Sequence, residues 1–172
     1  MKKATFILLF MMGILSLINA ESSALMNKQF RDSIFQTAKS EPNDTLRLQI
    51  LREAFQQYIG QDAALEFLDS ALALSKQKEM HEEELGALFD DCRHYEYRGD
   101  LSNMEQYFRI LKESSYQYKD YSFYYTIWLA ILQIRCAQGD TEYATMQAKE
   151  MQKEAIRIKY KSGTFVSLIA LA

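Results

Sequence analysis

Breakers of regular structure are scarce in this chain of 172 residues, which has one proline, Pro42, and six glycines. Proline removes a backbone donor and clashes with the preceding helical turn, so little here interrupts a long helix. Runs of alternating β-branched residues, the mark of strands, are missing too. Glycine-rich phosphate loops and Gly-x-Ser-x-Gly elbows are absent, which leaves no nucleotide cradle and no hydrolase nucleophile. Histidine occurs twice, at His81 and His94. The run from His81 to Leu85 starts like a zinc-protease helix, but Leu85 stands where the second histidine is required. Asp90, Asp91, Cys92, Arg93 and His94 crowd reactive groups together, yet Cys92 and His94, two residues apart, point to different helix faces. The expectation is a chain that is not an enzyme and carries no metal and no cofactor.

What is present is apolar and evenly charged. Apolar residues make up 48% of the chain and charged ones 25%, too hydrophobic for disorder. Lysine and arginine alternate with acids, as in Lys112-Glu113, Lys149-Glu150 and Lys153-Glu154. These are solvated helix faces rather than the concentrated basic face a nucleic acid needs, so no nucleic-acid partner is expected. Arg157, Lys159 and Lys161 fall near a helix end, where positive charge suits the macrodipole.

Residues 1–20 differ from the rest. Lys2 and Lys3 precede an apolar stretch from Ala4 to Ile18, and Asn19-Ala20 before Glu21 offers a cleavage point, with Ser22 to Ala24 as a second. This is the pattern of a secretory signal peptide. It is short of the roughly 20 apolar residues of a spanning helix, and an uncleaved membrane anchor is the alternative. No cysteine follows for lipid attachment, and the predicted destination is the bacterial periplasm. Removal of Lys2 and Lys3 leaves 18 basic residues against 23 acidic ones, a net −5.

Sliding the chain by forty residues superimposes it on itself. Leu48, Leu88, Trp128 and Leu168 share one register; Gly60, Gly99-Asp100 and Gly139-Asp140 another; Ala64, Met104 and Ala144 a third, followed by Leu68, Phe108 and Ala148. A fixed period with small or apolar residues at fixed offsets and a glycine at each internal turn marks stacked helix–turn–helix units. The pattern predicts a capping helix over 22–39, a break at Glu41 to Asp44 with Asn43 or Asp44 as cap, and then paired helices. These run over 45–58 and 62–78, 84–98 and 102–118, and 121–138 and 141–161, with Gly163 following the last. By register Trp128 is a core residue. Cys92 and Cys136 lie on neighbouring first helices, offset by one turn, about 6 Å; two buried thiols are expected over a disulfide.

Trp128, Ile131 and Leu132, then Gln138-Gly139-Asp140, then Ala144, resemble the tetratricopeptide repeat. So do Leu88, Tyr95, Arg98-Gly99-Asp100 and Tyr107-Phe108, and Leu48, Leu51, Phe55, Ala64, Phe67-Leu68 and Ala71-Leu72. Departures are a period longer than the usual 34 or so, Met104 at a crossing point usually small, Asp91 and Arg135 at usually apolar positions, and no closing proline. The resemblance implies an all-α solenoid of helical hairpins, a right-handed superhelix. It would hold three repeats of about 40 residues (45–84, 85–124, 125–164) and an incomplete fourth (165–172), after a signal peptide (1–20) and a capping segment (21–44).

Such arrays bind proteins or peptides, usually on the concave face lined by first helices. Opposite the core stripe lie Gln49, Glu53, Gln56, Phe89, Arg93, Glu96, Tyr97 and Gln133. Arg93 suits a carboxylate, and Phe89 or Tyr97 an apolar anchor. Leu168, Leu171 and Ala172 repeat the register of Trp128, Ile131 and Leu132, so the chain stops midway through a first helix. The expectation is the front of a longer protein, and the signal peptide with the lead-in Pro42 to Arg47 resembles the periplasmic sensor regions of bacterial regulators. Those continue into a transmembrane helix, here expected only downstream, and a histidine kinase or LuxR-type output. The alternative is a self-contained periplasmic adaptor for envelope assembly that self-associates through its unfinished repeat. In either case Leu68→Ala or Phe108→Ala is expected to cost roughly 2–5 kcal/mol in chemical denaturation, and Arg157→Ala almost nothing.

Overall fold

The computed structural model describes residues 28–171. The expected signal peptide (1–20), the start of the expected capping helix and Ala172 lie outside them. Among the described residues the chain is all helix and turn, without strands. The helices are α1 (28–40), α2 (Asp44–Tyr58), α3 (Asp62–Gln77), α4 (His81–Tyr97), α5 (Leu101–Tyr118), α6 (Ser122–Ala137), α7 (Thr141–Arg157) and α8 (Lys161–Leu171). Two units are distinguished, Met1–Ile50 and Leu51–Ala172, with the boundary inside α2.

In the first unit the break at Pro42 works as its chemistry requires. Asn43 is the cap: its side-chain oxygen accepts the Leu46 backbone N–H at 3.1 Å. Arg47 reaches back, its Nε donating to the Ala38 carbonyl at 3.1 Å and its Nη2 to the Glu41 carbonyl at 2.7 Å. One cation thus satisfies carbonyls that the end of α1 leaves open. Ala38 and Leu48 are buried.

The second unit is a succession of antiparallel pairs. Each helix from α3 to α8 packs on the next, and the first helices of the pairs also touch in series, α4 on α6 and α6 on α8. The second helices α3, α5 and α7 pack chiefly on first helices. Ala64, Met104 and Ala144, the crossing positions, are all buried, as are Leu68 and Ala148. Around α6 the core is aromatic: Tyr124 stacks on Phe108 with centroids 5.2 Å apart, Trp128 lies 6.1 Å from Phe108, and Phe89 meets Phe123 at 5.1 Å. Trp128 is a packing residue, 6% exposed.

The turns follow a shorter period than the sequence suggests. Backbone N–H groups of Met80, Asp100, Asp120, Asp140 and Tyr160 donate to the carbonyls of Ser75, Tyr95, Ser115, Arg135 and Ala155, all within 2.9–3.1 Å. Each bond closes a helix end through one left-handed residue, Glu79, Gly99, Lys119, Gly139 or Lys159, with φ between 55° and 87°. One turn design recurs every twentieth residue. Glycine fills it only inside each pair, and a long polar side chain bears the strain between pairs.

Two expectations are corrected here. The last long helix does not run to Lys161: α7 ends at Arg157, Lys159 makes the turn, and α8 starts at Lys161. Gly163 is not a turn residue but a buried helical one. A Cβ there would fall 2.5 Å from the Tyr160 ring and 2.7 Å from that of Tyr125, so the glycine permits α8 to approach α6. Leu168, which shares a register with Trp128, is 52% exposed, and Phe165 and Ile169 are exposed as well, the uncovered apolar face expected of this half-unit. The turn geometry has a measurable consequence. Lys119→Gly relieves an L-residue in the left-handed region and should stabilise the protein by up to about 1 kcal/mol. Gly99→Ala, where a methyl meets nothing within 4 Å but φ is 68°, should destabilise it by a similar amount, both read by urea denaturation followed by circular dichroism.

Candidate functional site

The face predicted to bind is partly assembled. Asp90 on α4 is 3% exposed and accepts Arg52 Nε from α2 at 2.8 Å and Gln56 Nε2 at 3.4 Å. Burial raises the pKa of its carboxyl, while the Arg52 and Arg93 charges pull it back down. One and two turns further along α4, Arg93 pairs with Glu96 at 2.5 Å and its guanidinium lies 5.6 Å from the centre of the exposed Tyr97 ring. Phe89 is half-buried against Phe123. The structure therefore brings Gln56, Arg93, Glu96 and Tyr97 onto one stretch beside Asp90 and Arg52. Gln133 is exposed on α6, and Gln49 and Glu53 are exposed on α2. Sequence reasoning missed Arg52 and Asp90, whose pairing depends on how α2 meets α4; an acid within an otherwise apolar stretch was its only signal.

Behind this face α4 buries more polar groups. Asp91 is 2% exposed and its Oδ1 has no hydrogen-bond partner among the described residues. Burial, together with the charges of Asp69 and Asp90 and against that of Lys76, pushes its pKa up to about 8. The carboxyl is thus protonated at neutral pH, which is how an acid sits at a position the repeat makes apolar. Burial and the Asp91 charge also push the nearby Tyr107 phenol up to about 12. His94 is fully buried, its Nδ1 accepting the Gly60 backbone N–H at 3.3 Å while Nε2 is unpartnered among the described residues. Burial and the charge of Arg98 lower its pKa and keep it neutral. His94 holds the first interhelical turn in place and approaches no nucleophile. Glu84, also buried, accepts the Tyr118 hydroxyl at 2.9 Å.

On the opposite side, α5 and α7 are bridged across α6. Lys112 Nζ sits 3.1 Å from Glu154 Oε2 and 5.2–6.0 Å from the ring centres of Trp128, Tyr124 and Tyr116. Glu154 Oε1 accepts the Tyr124 hydroxyl at 2.8 Å, and Arg157 reaches the Tyr116 hydroxyl at 3.2 Å. Burial and the Glu154 carboxylate hold the Tyr124 and Tyr116 phenols well above the ordinary tyrosine range. The cation–π contacts and the shared carboxylate make this bridge the chain's own ligand for its aromatic cage.

Neither cysteine is disulfide-bonded; Cys92 is buried, but Cys136 is exposed, which corrects the expectation of two buried thiols. Cys136 lies on the last turn of α6 and is exposed although it continues the four-residue series of the buried Trp128 and Leu132. His81 stacks on Tyr118 at 4.0 Å at the start of α4. Among the described residues no group of three or more His, Cys, Asp or Glu side chains is placed to hold a metal, and no helix is long and apolar enough to cross a membrane. Comparison with known proteins returns no matching family model, no matching curated protein and no matching solved structure.

The buried acid gives a pH signature. The folded pKa of Asp91 lies above its unfolded value, so folding takes up a proton, and stability falls as pH rises from about 4 to about 8, levelling off beyond. Asp91→Asn removes that loss. Its melts should match the parent near pH 4 and exceed it by several kcal/mol above pH 8, at about 1.4 kcal/mol per pKa unit. Parallel pH–stability curves would remove Asp91 as the source.

Proposed function

We propose that this chain is a non-enzymatic protein- or peptide-binding module, built as a tetratricopeptide-like solenoid of helical hairpins, that is exported and works as the sensory part of a membrane-spanning regulator. The observation that carries the binding reading is the pre-paired polar and aromatic row on the first helices. Arg52, Gln56 and Asp90 are locked to one another, and Arg93, Glu96 and Tyr97 are held beside them. A row of amide, guanidinium and phenol groups that already contact one another loses less entropy than isolated side chains would when an extended backbone lies along it. The buried reactive groups support a non-enzymatic role, since Asp91, Cys92 and His94 are each enclosed by packing rather than lining a cleft. Export and the sensory setting rest on the amino-terminal segment and on the resemblance to periplasmic sensor regions.

Site-specific photocrosslinking tests the binding face. A benzophenone amino acid placed at Tyr97 or Gln133 in the full chain, in cells, should yield adducts with one discrete partner. The same probe at Lys149, on the exposed side of α7, should yield none. Equal labelling at all three positions, or none at any, would overturn the reading.

A further inference from the structure

The second-helix side holds a hollow that the first-helix reading does not use. It lies between α5, α6 and α7, next to the Lys112 bridge, with a volume of about 140 Å³. Phe108, Trp128 and Leu132 form its floor, and Arg109, Tyr143 and Gln147 its rim. That is under half of the roughly 300–1,000 Å³ that holds a drug-sized ligand. Its capacity is one branched or aromatic side chain.

Charge around the rim is unevenly committed. Arg135 donates to Glu105 at 2.6 Å and lies 5.3 Å from the Tyr143 ring centre, so this pair is neutralised. Arg109 is exposed and makes no ion pair or hydrogen bond among the described residues. An unneutralised guanidinium beside an apolar floor favours a carboxylate next to whatever fills the hollow. The chain supplies its own contrast. Forty residues earlier in register, the place of Arg109 is taken by Asp69 and that of Ile131 by the buried Asp91. Asp91 is buried and keeps its proton, so the contrast lies in the exposed pair: at one register position the charge is negative in one repeat, on Asp69, and positive in the next, on Arg109, which lets two otherwise similar units discriminate between ligands.

We propose that the hollow between α5, α6 and α7 is a second recognition site, which takes a peptide segment inserting one apolar side chain over Phe108 and Trp128 and setting an adjacent carboxylate on Arg109. This deepens the peptide-binding reading, on which it rests, by naming a second surface and the chemistry of the segment it fits.

Trp128 is the only tryptophan in the chain, which makes its emission a direct reporter of the site. The full chain is titrated with three blocked tetrapeptides: one with phenylalanine followed by aspartate, one with asparagine for the aspartate, and one with alanine for the phenylalanine. The aspartate peptide should shift Trp128 emission saturably, with the asparagine and alanine versions each at least tenfold weaker. Arg109→Gln should abolish the preference for aspartate over asparagine while keeping that for phenylalanine over alanine. Arg109→Asp, which copies the preceding groove, should reverse the charge preference. Unchanged thermal melts for both variants show that the exposed side chain acts on binding and not on folding. If aspartate and asparagine peptides bind alike, or no peptide perturbs Trp128, the site is overturned. Crosslinks at Tyr97 and Gln133 beside a silent Trp128 would defeat this site alone, and their absence as well would defeat the peptide-binding reading itself.

Discussion

The backbone hydrogen bond that closes each helix onto a left-handed residue governs the rest of the second unit. A helix end leaves carbonyls unsatisfied and its direction unspecified; the bond from the residue after the left-handed turn to the carbonyl five back settles both. Because the next helix then starts within one or two residues, successive helices have almost no freedom to choose an exit direction. The side-chain pairs described above become possible only after that. Arg52 finds Asp90, and Lys112 finds Glu154, because the turns fix which faces meet.

Much of this was legible in the residues. The glycines at Gly60, Gly99 and Gly139 announce turns because nothing else tolerates positive φ so cheaply, and the small residues at Ala64 and Ala144 announce close crossings. The alternate turns were not legible as such. Glu79, Lys119 and Lys159 occupy the left-handed region without any compositional sign, since a long polar side chain is equally at home on a helix. That is why the sequence pattern carries α7 through Lys159 and places Gly163 at a turn. The twenty-residue period was hidden behind a forty-residue one by a change of residue type at an unchanged backbone shape.

The candidate surfaces were legible in the same uneven way. Helical periodicity placed Gln56, Arg93, Glu96 and Tyr97 on one face, because residues three and four apart along α4 share a side. It could not show that Asp90, read as one member of a reactive cluster, is the anchor for Arg52, nor that Asp91 points into the core and keeps its proton. Those depend on where α2, α3 and α5 lie, which is a matter of packing between residues on different helices, from about fifteen to nearly forty positions apart. The charge reversal between Asp69 and Arg109 was present in the sequence all along. It acquires meaning only when the two are seen at the same register position in successive repeats.

Helix α6 has a role that its composition alone does not convey. It packs against four others, α4 and α5 before it and α7 and α8 after it, and its aromatic side chains meet rings on α4 and α5 and the ring of Tyr160 in the turn before α8. An array in which each unit met only its immediate neighbour could fray stepwise from its ends. Here the middle helix cannot leave without releasing the helices on both sides, so its amide hydrogens are expected to exchange through near-global opening. The second unit is therefore closer to a cooperative domain with a central pillar than to a chain of independent links, and a ligand that tightens contacts on α6 would be felt along its whole length.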